Sequence, residues 1–190
     1  MPRAIVLCGS PRKGGNTDLM AEAFARGAQD AGAEVEKVYL DELFLRPSAE
    51  VCDDPPMRVD LRQDDDARKL LDRVLAADIV LFASPVYWQG VSAQMKCFVD
   101  RWSCYFGQEW FKEGMRGKVF AVVTAHGSPD PEEAQWVIRP VQVWAGFLQA
   151  SFAGAVSAAL GRKGAVADEP ELLARCEELG GRAVRIATEA

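Results

Sequence analysis

Ala4 to Cys8 is an unbroken apolar run that stops at Gly9-Ser10-Pro11 and, after a polar stretch from Arg12 to Asn16, gives way to helical spacing at Leu19, Met20, Ala23, Phe24 and Ala28, ending at Gly32. A short run with no polar member belongs to a strand covered on both faces. The pattern recurs. Ile79 to Ala83 precedes a loop from Ser84 to Gly90 and a helix from Val91 to about Cys104, and Val119 to Thr124 precedes a turn from Ala125 to Pro131 and an apolar helix reaching about Gly146. Val35 to Leu40 reads as a more exposed strand and Ser151 to Ser157 as a weaker one, with helices from Asp65-Asp66 to about Ala76 and from Pro170 to Ala187. Pro140 is expected to kink or split its helix. Strands alternating with helices predict an α/β fold, a parallel sheet with helices on both faces. Asp41 to Asp64, rich in Pro and Asp, is irregular and long enough for a functional excursion.

The chain has 190 residues, near the size of one domain, so residues 1–190 are expected to share a single fold. A formal charge of -6 argues against nucleic-acid or anionic-membrane surfaces, which need clustered Lys and Arg, so any anion must be bound locally. Cys8, Cys52, Cys97, Cys104 and Cys176 are odd in number, scattered and without a CxxC pair, which fits reduced thiols in a cytoplasm. No signal peptide and no stretch long enough for a membrane span is expected.

In sheets of this kind ligands bind beyond the carboxyl ends of the strands, where three unusual loops fall. The first, residues 9–17, places Gly14 and Gly15, the short donors Ser10, Asn16 and Thr17, and the cations Arg12 and Lys13 at a helix N-terminus. Backbone N–H groups, the helix dipole and added positive charge together cradle a phosphate. An ordinary N-cap would account for Asn16 and Thr17 alone. The loop has neither the Gly-Lys-Ser/Thr of a P-loop nor a GxGxxG fingerprint, which weakens ATP and dinucleotide readings.

The second loop, Ser84-Pro85-Val86-Tyr87-Trp88-Gln89-Gly90, ends a buried strand with a rigid proline and two adjacent aromatics. That composition suits a flat ring stacked while loop amides bond its heteroatoms, although one aromatic could instead pack in the core. The third, Thr124-Ala125-His126-Gly127-Ser128, holds the chain's single histidine, a candidate for proton delivery or polarisation because imidazole titrates near neutrality.

The ordered set Gly9-Ser10-Pro11-Arg12, Gly15-Asn16-Thr17, Asp65-Asp66, Ser84-Pro85-Val86-Tyr87-Trp88 and Met95-Lys96-Cys97-Phe98-Val99-Asp100-Arg101 resembles the flavodoxin-like NADPH-dependent FMN reductase family, including the flavin domains of iron-sulfur flavoproteins. The resemblance implies a flavodoxin-like three-layer sandwich with a five-stranded parallel sheet in the order 2-1-3-4-5. It implies FMN as cofactor and NAD(P)H as co-substrate. Ser10, Arg12, Asn16 and Thr17 would hold the phosphate, with Lys13 and Gly15 in the same loop. Pro85, Val86, Tyr87, Trp88 and Gln89 would line the isoalloxazine, joined by Gly127, and His126 would be the candidate catalytic residue. Asp100 and Arg101 read as structural, an ion pair or cap without flavin contact. The iron-sulfur members carry a cysteine cluster ahead of the Asp-Asp helix, where this chain has Cys52 alone, so no metal centre is expected and the flavin is the sole redox group.

The leading expectation is therefore a reductase carrying electrons from reduced nicotinamide through FMN to a small-molecule acceptor such as a flavin or quinone. A flavodoxin-style electron carrier and a flavin-less phosphate-ligand or interaction module are the alternatives. Trp102, Trp110, Trp136 and Trp144 on helices flanking the site predict a homo-oligomer, most simply a dimer, unless they fill this chain's own core.

Overall fold

The computed structural model describes residues 1–48 and 64–189. Five strands, β1 (Arg3–Cys8), β2 (Glu34–Tyr39), β3 (Ile79–Ala83), β4 (Val119–His126) and β5 (Ser151–Ala159), form one parallel sheet in the order β2-β1-β3-β4-β5. The expected topology is the one found. Six helices connect or follow them: α1 (Asn16–Asp30), α2 (Ala67–Ala76), α3 (Ala93–Asp100), α4 (Glu109–Met115), α5 (Gln135–Leu148) and α6 (Pro170–Glu189).

The fully apolar strands follow from burial on both faces. In β1, Ala4, Val6 and Cys8 face a core shared with Met20 and Phe24 of α1 and Leu179 and Ala183 of α6. Ile5 and Leu7 face the opposite core, built with Leu70 and Leu71 of α2, Phe98 of α3 and Val141 of α5. Successive side chains of a strand point to opposite faces, so two covered faces leave no position for a polar residue. The edge strand β2 keeps only Val38 fully buried, which explains its polar alternation.

Glycines let the backbones of α1 and α6 meet. A Cβ on Gly27 would stand 1.9 Å from the Glu177 carbonyl oxygen, and one on Gly180 would stand 2.2 Å from that of Phe24.

Several boundaries depart from the sequence reading. The helix expected to reach Cys104 ends at Asp100 and tightens into a 3-10 turn over Arg101–Cys104. The short helix α4 was not foreseen, since its seven residues are too few to show helical periodicity. Pro140 lies within α5 without splitting it. β4 and β5 each run two residues beyond their expected ends, which carries His126 to the sheet's rim paired with Ala159. Residues 49–63, with Cys52, lie outside the described residues, so the reading of that segment is not addressed by the fold. Among the described residues no helix is long and apolar enough to cross a membrane.

Candidate active site

The strand order reverses at β1 and β3, and the loops after β1, β3, β4 and β5 converge there. Backbone bonds stitch their bases together. Gly9 N–H donates to the Ala83 carbonyl (2.8 Å), Val86 N–H to Ala125 (3.0 Å) and Leu160 N–H to His126 (2.8 Å). Below the second loop's tip, Ser84 Oγ accepts from Ser92 N–H (2.9 Å), and Ser92 Oγ caps α3 by accepting from Met95 N–H (3.3 Å). The loops are thus fixed at their roots, as a ligand site on a rigid sheet requires.

A hollow of about 130 Å³ opens between the first, second, third and β5–α6 loops. Its lining includes Ser10, Arg12, Gly15, Asn16, Thr17, Pro85, Val86, Tyr87, His126 and Gly127, ten of the residues expected at the site. The N-cap of α1 is Gly15, which brings no side chain to the first-turn amides, so neither Asn16 nor Thr17 acts as an ordinary cap. The Asn16 amide is instead spent on structure, donating to the carbonyls of Leu160 (3.0 Å) and Arg162 (2.9 Å) and accepting from Val166 N–H (3.2 Å). What Asn16 has left to offer an anion is its backbone N–H.

Lys13 turns away from the hollow. It pairs with Glu42 and lies over the Tyr39 ring, 4.4 Å from its centroid. The loop's shape is held by Asp18, whose carboxylate accepts from Gly14 N–H (2.7 Å) and meets Lys37 Nζ at 2.7 Å. Burial would raise the Asp18 carboxyl, but the bonds from Lys37 and Gly14 outweigh it and hold it below its ordinary value. Lys37 is held above its own by Asp18, Tyr39 and Glu22 against the opposing pull of burial. The buried Cys8 thiol beneath is pushed up to about 12 by desolvation, so it is not a nucleophile at neutral pH.

A second hollow of about 490 Å³ adjoins the first and shares Val86, His126 and Gly127 with it. Trp88, Gln89, Ser128 and Glu133 complete its lining. Its volume lies in the ~300 to 1,000 Å³ usual for small-molecule sites. Trp88 (φ 47°) and Gln89 (φ 56°) are both left-handed, in a tight turn closed by Tyr87 N–H to the Gly90 carbonyl (2.9 Å). That backbone costs about 1 to 3 kcal/mol at a non-glycine residue and clusters at functional sites. The Trp88 side chain is fully exposed, which rules out a core role for it. The buried His126 places Nδ1 3.0 Å from the Ser128 carbonyl oxygen. A carbonyl only accepts, so Nδ1 carries the proton and Nε2 is the nitrogen left for a ligand.

The sequence reading missed Leu160, Gly161 and Lys163 of the β5–α6 loop and Glu133. The dipeptide Arg162-Lys163 between two glycines repeats the composition of the first loop and was the available signal. Asp100 and Arg101 are structural as expected: Asp100 pairs with Lys96, and Arg101 pairs with Asp65 in the interior.

The doubly wound sheet, in the order β2-β1-β3-β4-β5, defines a flavodoxin-like fold with a donor-rich loop at the switch point. Residues 2–165 match the family described as NADPH-dependent FMN reductase, and the chain belongs to that family. It is 34% identical over 142 residues to an iron-sulfur flavoprotein of Archaeoglobus fulgidus, covering 75% of this chain and 63% of that one. It is 28% identical over 185 residues, 92% of this chain and 94% of the other, to YwqN of Bacillus subtilis, described as an NAD(P)H-dependent FMN-containing oxidoreductase. Among solved structures, the Trp repressor binding protein of Bacillus subtilis superposes with a TM-score of 0.67 at 25% identity, covering 93% of this chain and 96% of that one. RosB, solved with 8-demethyl-8-formylriboflavin-5'-phosphate, shares the fold with a TM-score of 0.76 at 15% identity, covering 100% and 81%.

The residues present fit FMN. An uncapped helix start with Arg12, which has no ion pair among the described residues, suits its phosphate, and the adjoining larger hollow, rimmed by Val86, Trp88 and His126, suits a flat ring.

Proposed function

We propose that this protein is an FMN-dependent NAD(P)H oxidoreductase that passes electrons from reduced nicotinamide to a flavin, quinone or similar small acceptor. The observation that carries the reading is the pair of adjoining hollows: a small one rich in donors and an open one rimmed by an exposed aromatic, sharing Val86, His126 and Gly127. A ligand with an anionic end and a flat end matches that sequence of environments.

FMN held there would supply the redox chemistry, hydride uptake and electron release to the acceptor. The chain's work is to bind and orient. Arg12, Ser10, Thr17 and the α1 amides anchor the phosphate. Pro85, Val86, Tyr87, Trp88 and Gln89 position the ring, and Trp88, extended into solvent on its strained turn, is placed to cover whatever enters the open hollow. His126, its Nδ1 committed to Ser128, accepts at Nε2 when neutral and donates there only as imidazolium.

The same reading takes the chain as a single domain working in the cytoplasm, in keeping with its free Cys8, Cys97, Cys104 and Cys176. It also takes it as a homodimer. Trp102 is buried in this chain's own core and Trp144 is half-buried, but Trp110, Trp136, Val143 and Phe147 remain exposed and support an apolar contact with a second copy.

The test is steady-state NADPH oxidation by FMN-loaded protein with and without an added quinone or free flavin. Acceptor-dependent turnover is expected. Stable bound flavin with turnover no faster than the acceptor-free control would mark an electron carrier instead.

A further inference from the structure

The first loop and the β5–α6 loop carry similar segments, Pro11-Arg12-Lys13-Gly14 and Gly161-Arg162-Lys163-Gly164, and residues of both line one hollow. In each segment one base is neutralised outside the hollow. Lys13 pairs with Glu42, and Arg162 pairs with Asp168 at 2.6 Å. The other base of each segment, Arg12 or Lys163, lines the hollow, and neither has an ion pair among the described residues. Two cations without an ion pair among the described residues, both on the lining of one donor-rich cleft, suit a divalent anion, which gains Coulomb energy from each.

The second wall is held in place. Asn16, the first residue of α1, donates to the carbonyls of Leu160 and Arg162 on either side of Gly161 and accepts from Val166 N–H. Leu160 N–H is bound to the His126 carbonyl (2.8 Å). Farther along, a Cβ on Gly164 would stand 3.4 Å from the Gly14 carbonyl oxygen, so the two loops touch. One side chain, from the helix end that faces the anion, thereby fixes the loop that carries Lys163.

We propose that the β5–α6 loop is a fourth wall of the phosphate subsite and that Lys163 is its second cation beside Arg12, selecting a doubly ionised phosphomonoester. The inference rests on the FMN reading above and adds the residue that sets phosphate selectivity. The same chemistry is carried by the phosphate of FMN and by the 2'-phosphate of NADPH. The shared hollow with Ser10, Thr17 and the α1 N-terminus assigns Lys163 to the FMN phosphate.

The experiment titrates apoprotein with FMN and with riboflavin, following flavin fluorescence, for the wild type, Lys163→Gln and Arg162→Gln. Lys163→Gln is expected to weaken FMN binding by roughly tenfold, the scale of a charge-assisted hydrogen bond, and to leave riboflavin binding unchanged. Arg162→Gln, already neutralised by Asp168, is expected to change neither. Wild-type FMN affinity should fall below about pH 6 as the second phosphate proton binds, and less steeply in Lys163→Gln. An equal loss for both flavins, or an equal effect of the two variants, overturns the inference and leaves the FMN reading intact. So does unchanged FMN binding by Lys163→Gln accompanied by a raised KM for NADPH but not NADH, which would move the lysine to the coenzyme. A wild-type chain that binds neither flavin overturns both.

Discussion

Asp65 and Arg101, 36 positions apart, meet as an ion pair with side chains 0% and 1% exposed, joining the start of α2 to the turn after α3. The carboxylate also accepts from Arg46 N–H (3.1 Å) and Ala67 N–H (3.1 Å), and Arg101 donates to the Arg46 carbonyl (3.3 Å). Burial raises the Asp65 carboxyl, but Arg101 and these amides outweigh it and hold it below its usual value. The pair thus ties the segment after β2 to the helix behind the second loop. Removing Asp65 breaks a buried ion pair, at about 3 to 5 kcal/mol. Asp65→Ala should therefore lower stability by that amount in urea unfolding. A loss below about 1 kcal/mol for Asp65→Ala would contradict the account.

Gly180 sits in the interior of α6, where propensity alone predicts that alanine would stabilise by about 1 kcal/mol. The Phe24 carbonyl oxygen lies 2.2 Å from the new Cβ, and Ala28 N 2.8 Å from it. Both are backbone atoms that cannot turn aside. Gly180→Ala should destabilise by about 1 to 3 kcal/mol, the usual range for overpacking. An increase in thermal midpoint would show that the helices separate at little cost.

Lys118 is buried at the foot of β4, its Nζ donating to the carbonyls of Leu75 (2.8 Å) and Ala77 at the end of α2. Burial lowers its pKa from 10.5 to about 8, with Asp78 opposing the shift. Between those values the unfolded chain holds a proton that the folded chain has released, so stability should rise with pH from about 8 to about 10. Lys118→Met should flatten that rise. It should also cost about 1 to 3 kcal/mol at pH 7, because two helix-end carbonyls lose their donor. An unchanged slope in the variant would remove Lys118 as its source.

Trp88 offers a separation of stability from function. Its ring is 102% exposed, so Trp88→Ala should leave apoprotein unfolding within about 0.5 kcal/mol of wild type. Reduction of bound FMN by NADPH should slow at least tenfold, since hydride transfer needs near-attack alignment. A loss of about 3 to 5 kcal/mol, the signature of truncating a buried tryptophan, would contradict the structure. Normal reduction would remove Trp88 from the site.

The sheet was legible because β1, β3 and β4 are covered on both faces and run apolar over Ala4 to Cys8, Ile79 to Ala83 and Val119 to Val123. The first loop was legible because glycines and bases beside a helix start have few other uses. Which base lines the hollow was not: Arg12 and Lys13 are adjacent, and only the positions of Tyr39 at the end of β2 and Glu42 in the turn after it turn Lys13 outward. Asn16 reads as a phosphate donor until Leu160 and Arg162, 144 and 146 positions away, arrive to claim its amide. Lys163 escaped notice because the loop following a weakly patterned edge strand gave no sign of reaching the first loop. Such long-range pairings are set by packing of the whole sheet, and no local window contains them.

The most direct test of the central claim is a single-turnover experiment in which FMN-loaded wild-type protein is mixed anaerobically with one equivalent of NADPH and the visible absorbance of the bound flavin is followed. The account predicts rapid, stoichiometric bleaching with matching loss of NADPH, and return of the colour when an oxidised quinone or flavin is added. Bound FMN that stays oxidised in the presence of NADPH, while a chemical reductant bleaches it, would contradict the account.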